Sequence, residues 1–283
     1  MILVTGATGT VGSEVARLLA AGGERVRAMT RNPGKAPAMA GVELVRGDFD
    51  DPGSLAVAAA GAKALFLLDA PGPWMVRHDL AMLAAARAAG VRKVVKLSAI
   101  GTGERDGAGP GDWHLPGERA LRSGDMRWTI LRPSSFASNA LRWAAPVRSG
   151  SPIPNTTGNG TQGVVDPRDV AEVAARALTS DEHAGDVLTL TGPELLSVPG
   201  QVERLGTVLG RVLDTVDVPL ESYRESLLAG GVDPVFAEVA VSGSRLVAAG
   251  GNARLTTDVA RVLGRPPRSF TTWAEDHRAA FTG

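Results

Sequence analysis

The sequence predicts an α/β protein: a doubly wound parallel sheet followed by a smaller, mostly helical C-terminal region. Three observations predict it. Short apolar runs (Ile2 to Thr5, Arg25 to Met29, Val42 to Val45, Ala64 to Leu68, Lys93 to Leu97 and Trp128 to Leu131) alternate with helical stretches. The runs show little polar alternation, as befits strands of a parallel sheet covered on both faces. After Gly192 the alternation gives way to helical patterns.

Each element has its own signal. Val11, Val15, Leu18 and Leu19 form the apolar stripe of a helix running to Ala21. Asp51-Pro52 and Asp166-Pro167 each set a capping carboxylate before a proline at the first helical position. Ala-rich Met75 to Ala89 is a helix stopped by Gly90. Ser, Pro, Asn, Thr and Gly dominate Arg148 to Gly163, which predicts a long loop of the kind that serves as a lid. Strands are expected at Gly163 to Val165 and Val187 to Thr191, flanking a helix from Arg168 to Leu178. Phe270, Trp273 and Phe281 recur at helical spacing and predict a packed C-terminal helix. The expected domains are residues 1–139 with 163–192, and residues 140–162 with 193–283.

The 283 residues suffice for one core with an appended lobe. Thirty basic and thirty acidic residues cancel, so no global field gathers nucleic acid or anionic lipid, and neither is an expected partner. No apolar run approaches the ~20 residues of a spanning helix, and Met1 leads directly into an apolar strand, so a cytoplasmic location is expected. Cysteine is absent, which excludes a disulfide framework, a thiolate nucleophile and a cysteine zinc site. The four histidines, His78, His114, His183 and His277, stand far apart, and no metal site is expected.

The segment Thr5-Gly6-Ala7-Thr8-Gly9-Thr10-Val11-Gly12 joins the first strand to the first helix. Gly6 permits the turn, Gly9 lets the backbone approach a ligand, and Gly12 lets the helix pack closely on the strand. Thr8, Thr10 and Val11 complete a helix N-terminus whose amides and dipole suit a pyrophosphate. Its place after a strand and before a helix is the context that marks a Rossmann-type dinucleotide site. An NAD-selective site carries an acid about 20 residues further on. Here the chain reads Met29-Thr30-Arg31-Asn32-Pro33-Gly34-Lys35, offering Arg31 and Lys35 to a 2′-phosphate, so NADP(H) is preferred over NAD(H). Asp48, with the adjoining Phe49, either meets the adenine or supports the turn at Asp51.

Beyond the glycines, the strand Val94-Val95-Lys96-Leu97-Ser98, the segment Trp128-Thr129-Ile130-Leu131-Arg132-Pro133 and its sequel Ser134 to Asn139 carry a resemblance. Val165-Asp166-Pro167-Arg168-Asp169-Val170-Ala171, Leu190-Thr191-Gly192-Pro193-Glu194 and Gly264-Arg265-Pro266-Pro267 extend it along nearly the whole chain. The chain resembles the NmrA-like branch of the atypical short-chain dehydrogenases. That branch includes NADPH-dependent quinone reductases, other reductases and cofactor-sensing regulators. The resemblance implies that Leu68, Asp69 and Ala70 lie beside the cofactor ribose, that Ser98 and Ala99 lie near the nicotinamide, and that Pro133, Ser134 and Phe136 border it.

Typical short-chain dehydrogenases donate a proton from a tyrosine paired with a lysine four residues on. The only tyrosine here is Tyr223, in the C-terminal region, and the expected place holds Trp113-His114-Leu115-Pro116-Gly117-Glu118. His114 is one candidate donor, since histidine needs little tuning to titrate near neutral pH. Pro116 favours a helix beginning near itself, which leaves His114 in the preceding turn. Lys96 is a second candidate, on the same side of its strand as Ser98, unless it pairs with a carboxylate. Ser98, His114 and Lys96 are therefore the candidate catalytic residues. Hydride addition to a simple ketone gives a basic alkoxide that needs a donor, whereas a quinone gives a stabilised anion. The expected function is NADPH-dependent hydride transfer to a quinone-like or conjugated carbonyl compound, by a monomer or homodimer. The lid region Ala140 to Gly160, with Trp143 and Val218 to Phe236, is expected to enclose an apolar acceptor site, joined by Trp74 and Trp113. The alternatives are a non-catalytic NADP(H) sensor and an isomerase or cyclase of a secondary metabolite.

Overall fold

The computed structural model describes residues 1–104 and 112–282. The strands are β1 (Ile2–Val4), β2 (Val26–Thr30), β3 (Val42–Arg46), β4 (Ala64–Leu67), β5 (Lys93–Leu97), β6 (Arg127–Pro133), β7 (Ile153–Asn155), β8 (Val187–Leu190) and β9 (Thr215–Asp217). The helices are α1 (Thr10–Ala21), α2 (Pro52–Ala59), α3 (Met75–Ala88), α4 (His114–Arg122), α5 (Ala144–Ser149) and α6 (Pro167–Thr179). They continue with α7 (Val198–Leu209), α8 (Leu220–Ala229), α9 (Pro234–Ala248), α10 (Asp258–Leu263), α11 (Phe270–Asp276) and α12 (Ala279–Thr282). Among the described residues no helix is long and apolar enough to cross a membrane.

The chain divides into two compact units, Met1–Pro133 with Arg168–Thr189, and Ser134–Pro167 with Leu190–Gly283. Residues 134–139, 163–167 and 190–192, which the sequence groups with the first domain, cluster with the second unit. The main sheet has the order β3-β2-β1-β4-β5-β6-β8. From β3 to β6 its pairings are parallel, with Ile2 opposite both Val26 and Ala64. Leu3, Leu65, Leu67 and Val94 from the strands pack with Leu55 of α2 and Met82 of α3 in one core cluster. Each is completely or almost completely removed from water, which is why these strands read as unbroken apolar runs.

Strand order reverses between β1 and β4, and in such sheets the crevice at the carboxyl ends of those two strands is the usual ligand position. Thr5 closes that point: its Oγ1 donates to the Leu68 carbonyl at 2.8 Å and accepts from the Leu68 amide at 2.9 Å. Gly6 then turns the chain with φ +60°, where a Cβ would stand 2.8 Å from Leu68 Cγ. A Cβ at Gly12 would collide with the Gly6 carbonyl oxygen, whereas one at Gly9 would lie 3.4 Å from that oxygen.

In the second unit, Trp143, Phe270, Trp273 and Phe281 join one buried cluster. Trp273 stacks on His277 with ring centroids 4.4 Å apart and meets Phe281 edge-on at 6.4 Å. The packed C-terminal helix expected around Phe270 is two short helices, α11 and α12.

Three expectations are corrected. Gly163 to Val165 is not a strand: Val165 makes a single bridge to Phe136, and Pro167, lacking an N–H, ends any ladder. The loop Arg148 to Gly163 contains β7, which pairs in parallel with β9 through Ile153 opposite Thr215. Pro116 does not mark the start of its helix, because α4 begins at His114. Amides of the first turn have no intrahelical partner, so a proline at the third position costs no hydrogen bond.

Gly12→Ala is expected to lower stability by about 1–3 kcal/mol in urea unfolding, since backbone would have to move. Gly9→Ala should stay within about 0.5 kcal/mol of the parent. Equal losses would show that the close approach at Gly12 does not hold the turn.

Candidate active site

The turn at Gly6 delivers the chain to α1 with Gly9 in the N-cap position, extended, and no side chain capping the helix amides. No acidic residue occupies the first turn. Thr8, Gly9 and Thr10 are exposed, while Val11 and Gly12 are buried. Uncapped amides at a helix N-terminus with no nearby carboxylate are a receptor for an anion. Arg31 and Lys35, after β2, are exposed and have no ion-pair partner among the described residues.

After β3, Asp48 uses one carboxylate oxygen to accept from the Asp50 amide at 3.1 Å, so it does support the local turn. Asp51 caps α2 by accepting from the Ser54 amide at 3.1 Å. That bond, with the Arg46 guanidinium, holds the Asp51 carboxyl below the usual carboxylate range. After β4, Asp69 accepts from the Ala70 amide at 2.7 Å through Oδ1, and its Oδ2 lies 2.7 Å from His78 Nδ1. The other ring nitrogen of His78 lies 3.1 Å from Asp50 Oδ1, and Phe49 stacks on the imidazole at 5.1 Å. Phe49, Asp50 and Asp69 therefore meet around one buried histidine.

At the carboxyl end of β5 the candidate proton sources are engaged. Lys96 is buried with its Nζ 2.5 Å from Asp79 Oδ2 of α3. Burial pushes the Asp79 carboxyl up, against the opposing pull of the Lys96 charge. A Cβ at Gly117 would collide with Asp79 Oδ2, so α4 packs at this place with only hydrogen to spare. Ser98 Oγ donates to Glu118 Oε1 at 2.6 Å. Arg132 grips the same carboxylate with two bonds, at 3.0 and 2.7 Å, and Arg122 adds one at 3.0 Å. Burial raises the Glu118 carboxyl, but the bonds from Arg132 and Ser98 outweigh it and hold the group below the usual carboxylate range.

The half-buried His114 opens α4, and its Nδ1 is covered without a partner among the described residues. Burial pushes the ring down to about 3, reinforced by the charges of Lys96 and Arg132. The imidazolium assumed from sequence is thus unavailable near neutral pH: His114 is neutral there. Ser98 and Ala99 follow β5, with the Ser98 amide bonded to the Leu131 carbonyl at 2.7 Å and the Ile100 amide to that of Pro133 at 3.0 Å. Ser134 and Phe136 belong to the second unit, where the Ser134 amide bonds to the Leu190 carbonyl at 2.9 Å. Trp143 lies in that unit's core, and Trp74 donates from Nε1 to the Ala70 carbonyl at 3.1 Å.

Sequence reasoning did not select Asp79, His78 or Arg132, and it noted Glu118 without giving it a role. The signal for Asp79 was present: a lone carboxylate on the helical stripe of Met75, Met82, Leu83 and Ala86 must be buried, and a buried carboxylate needs a cation.

Residues 6–181 match the profile of a family described as NAD(P)H-binding. The chain belongs to that family. It is 38% identical over 288 aligned positions, 99% of each chain, to the (4-alkanoyl-5-oxo-2,5-dihydrofuran-3-yl)methyl phosphate reductase of Streptomyces griseus. It is 31% identical, again over 99% of each chain, to the NAD(P)H azoreductase of Xenophilus azovorans. Among solved structures, the Citrobacter triphenylmethane reductase complexed with NADP(H) superimposes with a TM-score of 0.84 at 26% identity, covering 99% of this chain and 100% of that one. The Escherichia coli NADPH-dependent quinone oxidoreductase shares the fold with a TM-score of 0.86 at 23% identity, covering 98% and 100%. The NmrA-like resemblance is consistent with these relatives. The protein is an NAD(P)H-dependent oxidoreductase, and its sequence holds no tyrosine followed four residues later by lysine.

The unfolded chain protonates His114 at the ordinary 6.5, the folded chain only near 3. This residue's contribution is therefore complete above pH 6.5 and is lost as pH falls toward 3, at up to about 1.4 kcal/mol per unit. Urea midpoints measured from pH 7 to 4 should fall less steeply for His114→Gln than for the parent. A ring that titrates near 6.5 by NMR would overturn the assignment.

Proposed function

We propose that this oxidoreductase prefers NADPH and delivers hydride to an electron-poor conjugated small molecule, quinone-like or a conjugated carbonyl compound. The observation that carries this reading is the state of the groups around the end of β5. Lys96 is held by Asp79, the Ser98 proton is directed at Glu118, and His114 is neutral. None stands ready as a strong acid, so the acceptor best suited is one whose reduced anion is stable without immediate protonation. The names of the relatives support this, since an acylated dihydrofuranone, an azo compound and a triphenylmethane dye are all conjugated acceptors.

The residues fit a dinucleotide. The Thr8 to Gly12 amides would hold the pyrophosphate, and Arg31 and Lys35 the 2′-phosphate. Asp48 and Phe49 are assigned to the adenine, and Leu68, Asp69 and Ala70 to the ribose. Ser98, Ala99, Pro133, Ser134 and Phe136 are assigned to the nicotinamide side. When bound, the cofactor supplies the hydride; the chain supplies position and fixed charge. Selection of the acceptor is assigned to residues 140–162 and 193–283. Ser98, His114 and Lys96 remain the candidate catalytic residues, with His114 acting as a neutral hydrogen-bonding ring.

NADPH oxidation followed by absorbance against quinones, enones and simple ketones tests the acceptor class. Quinones or enones should turn over about a hundredfold faster or more, the factor a missing general acid costs. Faster turnover of a simple ketone would sink the reading, and tight NADPH binding without turnover of any acceptor would favour a regulator.

The cofactor preference has a separate test. Arg31→Ala removes a charge-assisted contact worth about 1.5–3 kcal/mol, so NADPH should bind roughly 10- to 150-fold more weakly by calorimetry while NADH barely changes. Equal loss for both cofactors would remove Arg31 from the 2′-phosphate site.

A further inference from the structure

His78 has no place in the reading so far, yet two segments converge on it. It sits in the first turn of α3, 8% exposed, between Asp69 Oδ2 at 2.7 Å and Asp50 Oδ1 at 3.1 Å. Asp69 belongs to the segment after β4, and Asp50 to the segment after β3. Phe49 lies over the ring with an interplanar angle of 11°. Arg77 closes the outer side with a bond of 2.5 Å to Asp50. Both oxygens of the Asp69 carboxylate are engaged, since Oδ1 takes the Ala70 amide. A well-packed apolar side chain in the same space would avoid desolvating an imidazole and a carboxylate. What it would not do is tie the two segments together.

We propose that His78 is a positioning residue of the cofactor site, tethering the Asp48–Asp50 segment to the Leu68–Ala70 segment and so setting how tightly the adenosine half of the dinucleotide is held. The inference rests on the assignment of Asp48, Phe49 and Leu68 to Ala70 to that half. A loop already held by a bridge to a buried histidine need not be ordered when the ligand arrives, and the ordering cost is removed from the binding free energy. Although His78 precedes Asp79 in the chain, its own bonds run to Asp69 and Asp50 and not to Lys96, Ser98 or His114, so its influence falls on affinity rather than on the hydride step.

Two isosteres separate the arms of the bridge. In His78→Asn the side-chain amide takes the place of Nδ1 and can still donate to Asp69; in His78→Gln it takes the place of Nε2 and reaches only Asp50. Calorimetry with NADPH and with 2′,5′-ADP, beside steady-state KM and kcat, reads the effect. His78→Ala should weaken NADPH and 2′,5′-ADP in parallel, by about tenfold or more, the worth of hydrogen bonds to charged groups. The loss should appear in the KM for NADPH rather than in kcat, with His78→Asn recovering most of it and His78→Gln less. Asp50→Ala, at a half-exposed site that does not threaten folding, should weaken both ligands by about threefold. A lowered melting temperature with unchanged dissociation constants in His78→Asn, His78→Gln and Asp50→Ala would overturn the inference and leave the bridge merely structural. A loss confined to kcat would overturn it as well. If the parent protein binds NADPH but not 2′,5′-ADP, the placement of the adenosine half fails and takes this inference with it. Parallel weakening in the variants supports both.

Discussion

The first unit depends on one hydroxyl. Where strand order reverses, β1 and β4 both end, and the Leu68 backbone beyond β4 would otherwise lack partners on this side. Thr5 Oγ1 serves the Leu68 amide and carbonyl together, leaving Gly6 to turn the chain away at once. That turn brings α1 up against its own approach so closely that only hydrogen fits on Gly12. The first amides of α1 are left uncapped because the N-cap position is held by Gly9, which has no side chain to offer.

The electrostatics of this unit follow a second rule: buried charges are matched in place. Lys96 and Asp79 answer each other across β5 and α3, and Glu118 gathers Ser98, Arg122 and Arg132. Such pairs contribute little net stability compared with apolar packing, but they fix positions, since separating either partner would strand a charge in a medium that solvates it poorly. The neutral state of His114 comes first from its burial, and the charges of Lys96 and Arg132, each a member of a matched set, add to it.

The strands of the main sheet were legible because each is buried on both faces and therefore reads as an apolar run. The glycine turn was legible because backbone geometry leaves no other residue type at Gly6 and Gly12. β7 and β9 were not, since three residues each carry no measurable period and their pairing joins segments far apart in the chain. Asp166-Pro167 correctly announced α6, yet Pro116 misled, because a proline fits the whole first turn and not only its first position. At the candidate site the glycines and the cations after β2 were readable from spacing. The partners of Lys96 and Ser98 were not, because Asp79 and Glu118 reach them from other elements across long stretches of chain. The state of His114 lay further out of reach, since it is a property of the surrounding burial and charge rather than of the residue.

Arg31 and Lys35 differ from every charge discussed above in being neither buried nor matched. Their pull on an anion acts through water, where attraction decays over about 8 Å at physiological ionic strength and about 3 Å in molar salt. The contacts made by helix amides and buried loops are far less sensitive to the medium. If a phosphorylated and an unphosphorylated ligand are told apart at these two side chains, as proposed, the electrolyte around the protein would set part of the difference, so that concentrated salt would narrow a choice that dilute buffer sharpens.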